Sequence, residues 1–267
     1  MGAFVDIHAH LLPGIDDGPG DLEQSLEMAR AAVESGISTI ASTPHLRSDF
    51  PDVHVRELAD RCQALRDTLD SAGIPLELAS GAEVSLTWAI EASDEELKLA
   101  SYGQRGTDLL IETPSVNAVG VDRFLYTLRA KGYRLTLGHP ERSVDFQRDP
   151  AILHALVDQG VFLQVNADSL LGPGGGDRGV KRLARELLTG GIAHVIASDG
   201  HRGSRWRPVT RLPEAVQAAA ELVGADRAEW MAKAAPAAII SGDDLPDAPP
   251  VTPPARQRRR LFGIGRR

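Results

Sequence analysis

Cysteine is almost missing from this chain of 267 residues, where Cys62 stands alone. No internal disulfide framework can hold such a fold, and no thiolate-rich metal site can be built. No window approaches the roughly 20 apolar residues that a membrane span needs, and the opening Met1-Gly2-Ala3-Phe4-Val5-Asp6 carries no basic stretch leading into an apolar one. A cytoplasmic protein in a reducing compartment is expected. The glycine-rich run Gly172 to Gly176 lacks the Gly-Lys-Ser/Thr ending of a nucleotide-binding loop and reads as a flexible rim segment. No repeat of fixed period is visible, which argues against a solenoid.

Charge is uneven along the chain. The formal net charge is -8, yet residues 246–267 carry six arginines against Asp247, so the preceding body is the more acidic. An acidic body argues against general nucleic-acid binding through phosphate neutralisation, although a metal cluster can still draw in a phosphate locally. With 42% hydrophobic residues the chain can bury a large core. One catalytic domain is expected over residues 1–242. Residues 243–267, proline-rich and then basic, are expected to form a disordered tail. Its arginines, with Leu261, Phe262 and Ile264, suit either weak contact with an anionic membrane surface or acidic partner, or simple solubilisation.

What the chain does have is a repeated syntax: a short apolar run that stops at a residue able to bind metal. Phe4-Val5-Asp6-Ile7 leads to His8 and His10, the run ending Ser42-Thr43-Pro44 leads to His45, and Leu76 to Ala82 leads to Glu83. Asp108 to Ile111 leads to Glu112, Arg134 to Gly138 leads to His139, Val161 to Val165 leads to Asn166, and Ala193 to Ser198 leads to Asp199 and His201. Helical periodicity separates these seven runs, as in Asp21 to Ser35, where Leu22, Leu26, Ala29 and Val33 recur at three to four residues before Gly36. Further helices are expected over 52–72, 121–131, 150–159, 180–189 and 213–223.

Strands alternating with helices imply a mainly parallel sheet with right-handed crossovers. Ligands arriving from seven successive strands require the C-terminal strand ends to converge, so a distorted (β/α)7 barrel is expected rather than an open sheet. In His8-Ala9-His10 the two imidazoles project to one side of an extended chain and can grip one ion. Asp6 shares that face and is better placed as a hydrogen-bond partner than as a ligand. Mixed imidazole and carboxylate ligands suit manganese, iron, cobalt or zinc, and their number exceeds the needs of one ion.

The motifs Asp6-Ile7-His8-Ala9-His10, Asp16-Asp17-Gly18-Pro19, Ser42-Thr43-Pro44-His45, Gly81-Ala82-Glu83, Leu110-Ile111-Glu112, His139-Pro140-Glu141-Arg142, Gln164-Val165-Asn166 and Ala197-Ser198-Asp199-Gly200-His201 together carry a resemblance. Over roughly residues 3–242 the chain resembles the polymerase and histidinol phosphatase (PHP) superfamily, specifically the bacterial capsule-type, manganese-dependent protein tyrosine phosphatases. The resemblance implies a PHP-type barrel and two or three divalent ions, with manganese foremost. One ion would lie at His8, His10, Glu83 and Asp199, a second at Glu83, Glu112 and His139, and a third at Asp17, His45 and His201. Spacing does not choose between Asp16 and Asp17, in a sequence that is also a strong turn; the resemblance assigns Asp17.

Arg142 and Arg207 are expected to direct guanidinium forks at a phosphate over the metals. The implied chemistry is hydrolysis of a phosphate monoester by a metal-bridging hydroxide, with His201 or a water as the leaving-group acid. The implied partner is a phosphotyrosine protein, a bacterial tyrosine autokinase of capsule or exopolysaccharide synthesis. Alternatives are a histidinol-phosphate-type small-molecule phosphatase and a catalytically silent metal-binding regulatory module. Thiol-based phosphatases are excluded, because Cys-x5-Arg fails at Thr68. Two departures from the family pattern, Thr113 and Gly200, fall where the pocket rim is expected to differ, and Trp206-Arg207-Pro208 stands where the family often shows Gly-Arg-Pro.

Overall fold

The computed structural model describes residues 4–116, 120–172, 176–201 and 207–252. Among the described residues nine strands form: β1 (Phe4–Ala9), β2 (Ile37–Ser42), β3 (His45–Leu46), β4 (Glu77–Ser80), β5 (Glu83–Val84), β6 (Asp108–Glu112), β7 (Arg134–Gly138), β8 (Phe162–Asn166) and β9 (Val195–Ala197). They make two sheets, β1-β2-β4 and β3-β5-β6-β7-β8-β9, and every strand pair is parallel.

Seven strands were expected and nine are found, for a local reason. Thr43-Pro44 separates β2 from β3, and Gly81-Ala82 separates β4 from β5. Proline has no N–H to give a ladder, and glycine weakens one. Among the described residues no continuous ladder closes the strands into one barrel.

Buried parallel strands read as continuous apolar runs because both faces are covered. In β6, Leu109, Leu110 and Ile111 are all fully buried. Five of the expected helices are found close to their predicted limits, Leu22–Glu34, Val121–Ala130, Ala151–Asp158, Arg178–Thr189 and Arg211–Val223, whereas the one expected from Asp52 begins only at Leu58, after a 3-10 turn at Val55–Glu57, and runs to Ser71. Asp21 caps the first by accepting from the Gln24 N–H, and Gly36 follows it at φ 95°. Shorter helices at Leu86–Glu91, Asp94–Ala100, Ala225–Ala232 and Ala234–Ser241 were not foreseen. No helix among the described residues is long and apolar enough to cross a membrane.

The expected end of the folded body near Gly242 is corrected by the structure. Residues 243–252 lie against the body, where Arg134 donates to the Asp243 carbonyl at 2.6 Å, Trp230 Nε1 to Pro246 at 3.1 Å and Arg227 to Pro249 at 3.0 Å. The Thr252 N–H donates to the Val223 carbonyl at 2.9 Å. Proline-rich sequence lacks N–H donors, but its carbonyls still accept, and the body supplies the donors. The basic tail from residue 253 onward, and residues 173–175 of the glycine-rich run, lie outside the described residues.

Candidate metal centre

Alternation along β1 puts Asp6 and His8 on one face, continued by His10, while Ile7, Ala9 and Leu11 fill the core. Parallel register sets His45 opposite Glu83, and Glu112 opposite Gly138, the residue before His139. Ala9 bridges to Gly200, which brings Asp199 and His201 beside His8 and His10. Two of these residues sit in the left-handed region, His139 at φ 39° and Asp199 at φ 51°, as does Arg207 at φ 47°. Non-glycine residues in that region cost energy and cluster where geometry is constrained by function.

Four buried atoms face a common point. His8 Nε2 lies 3.3 Å from Glu83 Oε2 and 3.5 Å from Asp199 Oδ1, and His10 Nε2 lies 3.5 Å and 3.7 Å from the same two oxygens. None of the four makes a well-aligned hydrogen bond. Ligands about 2.1 Å from one ion stand roughly 3.0–3.4 Å apart in octahedral or tetrahedral arrangements. The observed separations are close to those edges, and the orphaned atoms are the donors that a cation uses.

The remaining candidates form adjoining groups whose ligand atoms lie within 4.8 Å of one another: His8, Glu83 and His139; His45, Glu83 and Glu112; and His10, Asp17, His45 and His201. Glu83 belongs to two of them. Its Oε1 is 2.8 Å from His139 Nε2 and its Oε2 is 2.9 Å from His45 Nδ1. Asp17 Oδ1 is 3.0 Å from His201 Nε2 and 3.4 Å from His45 Nε2.

The geometry separates Asp16 from Asp17. Asp16 accepts from His10 Nδ1 at 2.7 Å, from the His45 N–H at 3.1 Å and from the Gly18 N–H at 2.9 Å. It orients His10 with Nε2 inward and has little left for a cation. Gly18 is required by the tightness of this turn, since a Cβ there would stand 2.7 Å from the His10 carbonyl oxygen. Asp6, as expected, is a hydrogen-bond partner: it accepts from the His8 N–H at 3.2 Å and the Ser198 N–H at 3.1 Å.

An amide relay fixes His8. The Asp199 carboxylate can only accept, so the Asn166 amide at 2.6 Å presents its NH2 there and its oxygen to Gln164. Gln164 Nε2 therefore donates to Asn166 Oδ1 at 2.8 Å, and Gln164 Oε1 accepts from His8 Nδ1 at 2.9 Å. His8 is thereby held with a lone pair on Nε2, facing the other ligands. Glu141, fully buried, accepts from the Asn166 N–H at 3.0 Å and the Ser169 hydroxyl at 2.6 Å. It braces the end of β8 and stands apart from the ligand groups.

Electrostatics follow from this crowding. Burial opposes charge on Glu83, yet His8, with His10, His139 and His45, holds its pKa well below the usual carboxylate range. Burial likewise disfavours charge on His10 and His45, but Asp16 and Glu83 raise the former to about 10, and Asp17 and Glu83 raise the latter to about 9. Those protons stand where divalent cations would neutralise the carboxylates. His201 behaves differently: burial and then His10 lower its pKa. Its Nδ1 is engaged with the Asp199 carbonyl at 2.8 Å, so Nε2 alone remains for a cation or for a proton.

Both predicted arginines reach the cluster. Arg142 Nη1 lies 3.4 Å from Asp199 Oδ2, Arg207 Nη1 pairs with the same oxygen, and Arg207 Nη2 lies 3.3 Å from His201 Nε2. Trp206, Arg202 and Arg205 lie outside the described residues. Arg47 was missed by sequence reasoning. It pairs with Glu112 and lies 5.3 Å from the Phe50 ring, which stacks on His45 at 5.0 Å and 7°. The only sequence signal was its place two residues after His45.

Comparison with known proteins identifies the family. The family model described as capsular polysaccharide synthesis, CpsB/CapC, matches residues 4–241, and the chain belongs to that family. The tyrosine-protein phosphatase YwqE of Bacillus subtilis is 35% identical over 202 residues, covering 74% of this chain and 77% of that protein. The tyrosine-protein phosphatase CpsB of Streptococcus pneumoniae is 24% identical over 240 residues, covering 89% and 98%. Among solved structures, one from the work on YwqE of B. subtilis and CpsB of S. pneumoniae, described as unique metal-dependent tyrosine phosphatases, superposes with a TM-score of 0.78. It is 29% identical and covers 94% of this chain and all of that one. An inactive dihydroorotase-like domain of Chaetomium thermophilum, at 13% identity and a TM-score of 0.61, shows likeness of fold alone.

Proposed function

With membership of the CpsB/CapC family as the premise, we propose that this chain is a metal-dependent tyrosine-protein phosphatase, and that its substrate is a cytoplasmic bacterial tyrosine kinase of capsule or exopolysaccharide synthesis. The observation that carries the reading is the convergence of His8 Nε2, His10 Nε2, Glu83 Oε2 and Asp199 Oδ1, buried and without a well-aligned hydrogen bond. Two or three cations, manganese foremost, would be held by His8, His10, Asp17, His45, Glu83, Glu112, His139, Asp199 and His201. Bound there, they would supply charge neutralisation and an activated water for attack on phosphorus.

The rest of the work falls to side chains. Arg142 and Arg207 stand over Asp199 and would take the outer phosphate oxygens in fork geometry as charge builds in the transition state. His201 would serve as a ligand, since its one remaining nitrogen cannot bind a cation and deliver a proton at once. Proton delivery to the leaving phenolate then falls to water at the cluster. Glu83, shared between two groups, would hold neighbouring cations at a fixed spacing. No thiol takes part: Cys62 is fully buried in the helix Leu58–Ser71.

We also infer that the two sheets act as one distorted seven-stranded barrel of the PHP type. Support comes from bonds that carry pairing across both breaks, Gly81 N–H to the Ser42 carbonyl at 3.0 Å and Glu83 N–H to that of Pro44 at 3.1 Å. The His10 N–H donates to the Gly200 carbonyl at 2.8 Å, which joins the first strand to the segment after the last.

The test is phosphate release from a phosphotyrosine peptide and from histidinol phosphate, after metal stripping and manganese return, with His139→Ala as control. Manganese should restore peptide turnover in the native chain alone. Preference for histidinol phosphate would move the activity to small molecules, and silence on both would favour a regulatory metal protein.

A further inference from the structure

A cleft of about 370 Å³ leaves the cluster at Glu112 and crosses the C-terminal ends of β3, β5 and β6. Its continuity with the cluster is direct, because the Glu112 carboxylate lies within 4.8 Å of ligand atoms of His45 and Glu83. Its lining carries one cation, Arg47, against two carboxylates, Asp49 and Glu112. Arg47 grips Asp49 through Nε–Oδ1 at 2.6 Å and Nη2–Oδ2 at 2.9 Å, and pairs with Glu112 on its other side. The guanidinium is thus occupied, and the cleft is unsuited to a second phosphate. Its three walls carry the exposed hydroxyl residues Ser48, Thr87 and Ser115.

A phosphotyrosine within a protein brings chain on both sides of its ring, and that chain must be accommodated when the phosphate reaches a cluster recessed among loops. Short hydroxyl side chains, beside an arginine already committed to two carboxylates, match the donors and acceptors of main-chain amides and small polar side chains. We propose that this cleft binds the polypeptide flanking the phosphotyrosine, with Ser48, Thr87 and Ser115 as specificity-determining residues. The proposal rests on the phosphatase reading and extends it: the chain selects phosphotyrosine presented in a peptide over small aryl phosphates.

Steady-state kinetics on the manganese-loaded full chain tests this, with a phosphotyrosine peptide and p-nitrophenyl phosphate as substrates. Thr87→Trp and Ser115→Trp fill the cleft from two different walls at exposed positions. Each should raise KM for the peptide tenfold or more with kcat retained at saturation, while kcat/KM for p-nitrophenyl phosphate changes less than twofold. That retained small-ester activity also reports an intact fold. Unchanged peptide KM in both variants, or a parallel loss on both substrates, overturns the cleft assignment while leaving the phosphatase reading in place. A native chain that hydrolyses the small ester and ignores the peptide removes the tyrosine phosphatase reading, and the cleft assignment with it.

Discussion

Replacing Gln164 with leucine tests whether the amide relay prepares the metal centre. Gln164 is fully buried and makes two hydrogen bonds, at 2.9 Å to His8 and 2.8 Å to Asn166. Leucine fills similar space but leaves Asn166 Oδ1 without a donor, which costs about 1–3 kcal/mol of stability in the metal-free chain. It also frees His8 to place its proton on Nε2, where a cation should bind. Loss of a hydrogen-bond partner behind a ligand typically lowers metal affinity about 10- to 100-fold, or roughly 1.4–2.7 kcal/mol. Calorimetric titration of the stripped protein with manganese measures the second quantity, and urea unfolding of the same sample measures the first. Gln164→Glu keeps an acceptor toward His8 while losing the donor toward Asn166, so it should recover much of the affinity. If Gln164→Leu binds manganese as tightly as the native chain while losing stability, the relay is mere packing and the tautomer argument is wrong.

Three further outcomes are expected. His194, whose pKa burial and the nearby Arg227 lower to about 4, is neutral in the fold at pH 6.5, so its contribution is present above that pH and is lost as pH falls toward 4. Unfolding curves should show His194→Gln losing less stability than the native chain across this window, by on the order of 3 kcal/mol; parallel curves would contradict the shift. Burial pushes the Cys62 thiol up to about 11, so iodoacetamide should leave native turnover unchanged and label the chain only after denaturation. Inactivation of the folded protein by that reagent would restore a thiol mechanism. Removing residues 253–267 should shift stability by less than about 0.5 kcal/mol, whereas removing 243–267 should cost about 2–4 kcal/mol through the lost hydrogen bonds to Arg134, Trp230, Arg227 and Val223. Equal melting temperatures for the two truncations would show that the segment adds nothing.

The convergence of the candidate ligands was legible because parallel strands make one end of the sheet chemically special, and His8, Glu83 and Asp199 stand where their apolar runs stop. Less legible was any choice that depended on side-chain direction within a turn. Asp16 and Asp17 are adjacent and alike, and only the bonds from Asp16 to His10 and to the His45 and Gly18 N–H groups tell them apart. Arg47 and Glu112 are 65 residues apart, and no local pattern joins them. The helix Asp94–Ala100 was overlooked despite a visible signal, Ser93-Asp94-Glu95-Glu96, which forms a capping box. A helix of seven residues is too short for periodicity to be read. The segment 243–252 was misjudged because proline content speaks to missing donors and says nothing of the acceptors that its carbonyls offer.

That segment also gives the molecule a front and a back. Arg134 opens β7, and Arg227 binds the Gly191 and Ala193 carbonyls just ahead of β9 while it holds Pro249. The strap is therefore fastened where strands begin, and the candidate metal ligands lie where strands end. Thr252, bonded to the Val223 carbonyl at the end of its helix, lies on that rear side. A surface that captured the arginine-rich terminus would act as a leash on that rear side, leaving the catalytic mouth turned outward to meet phosphorylated protein.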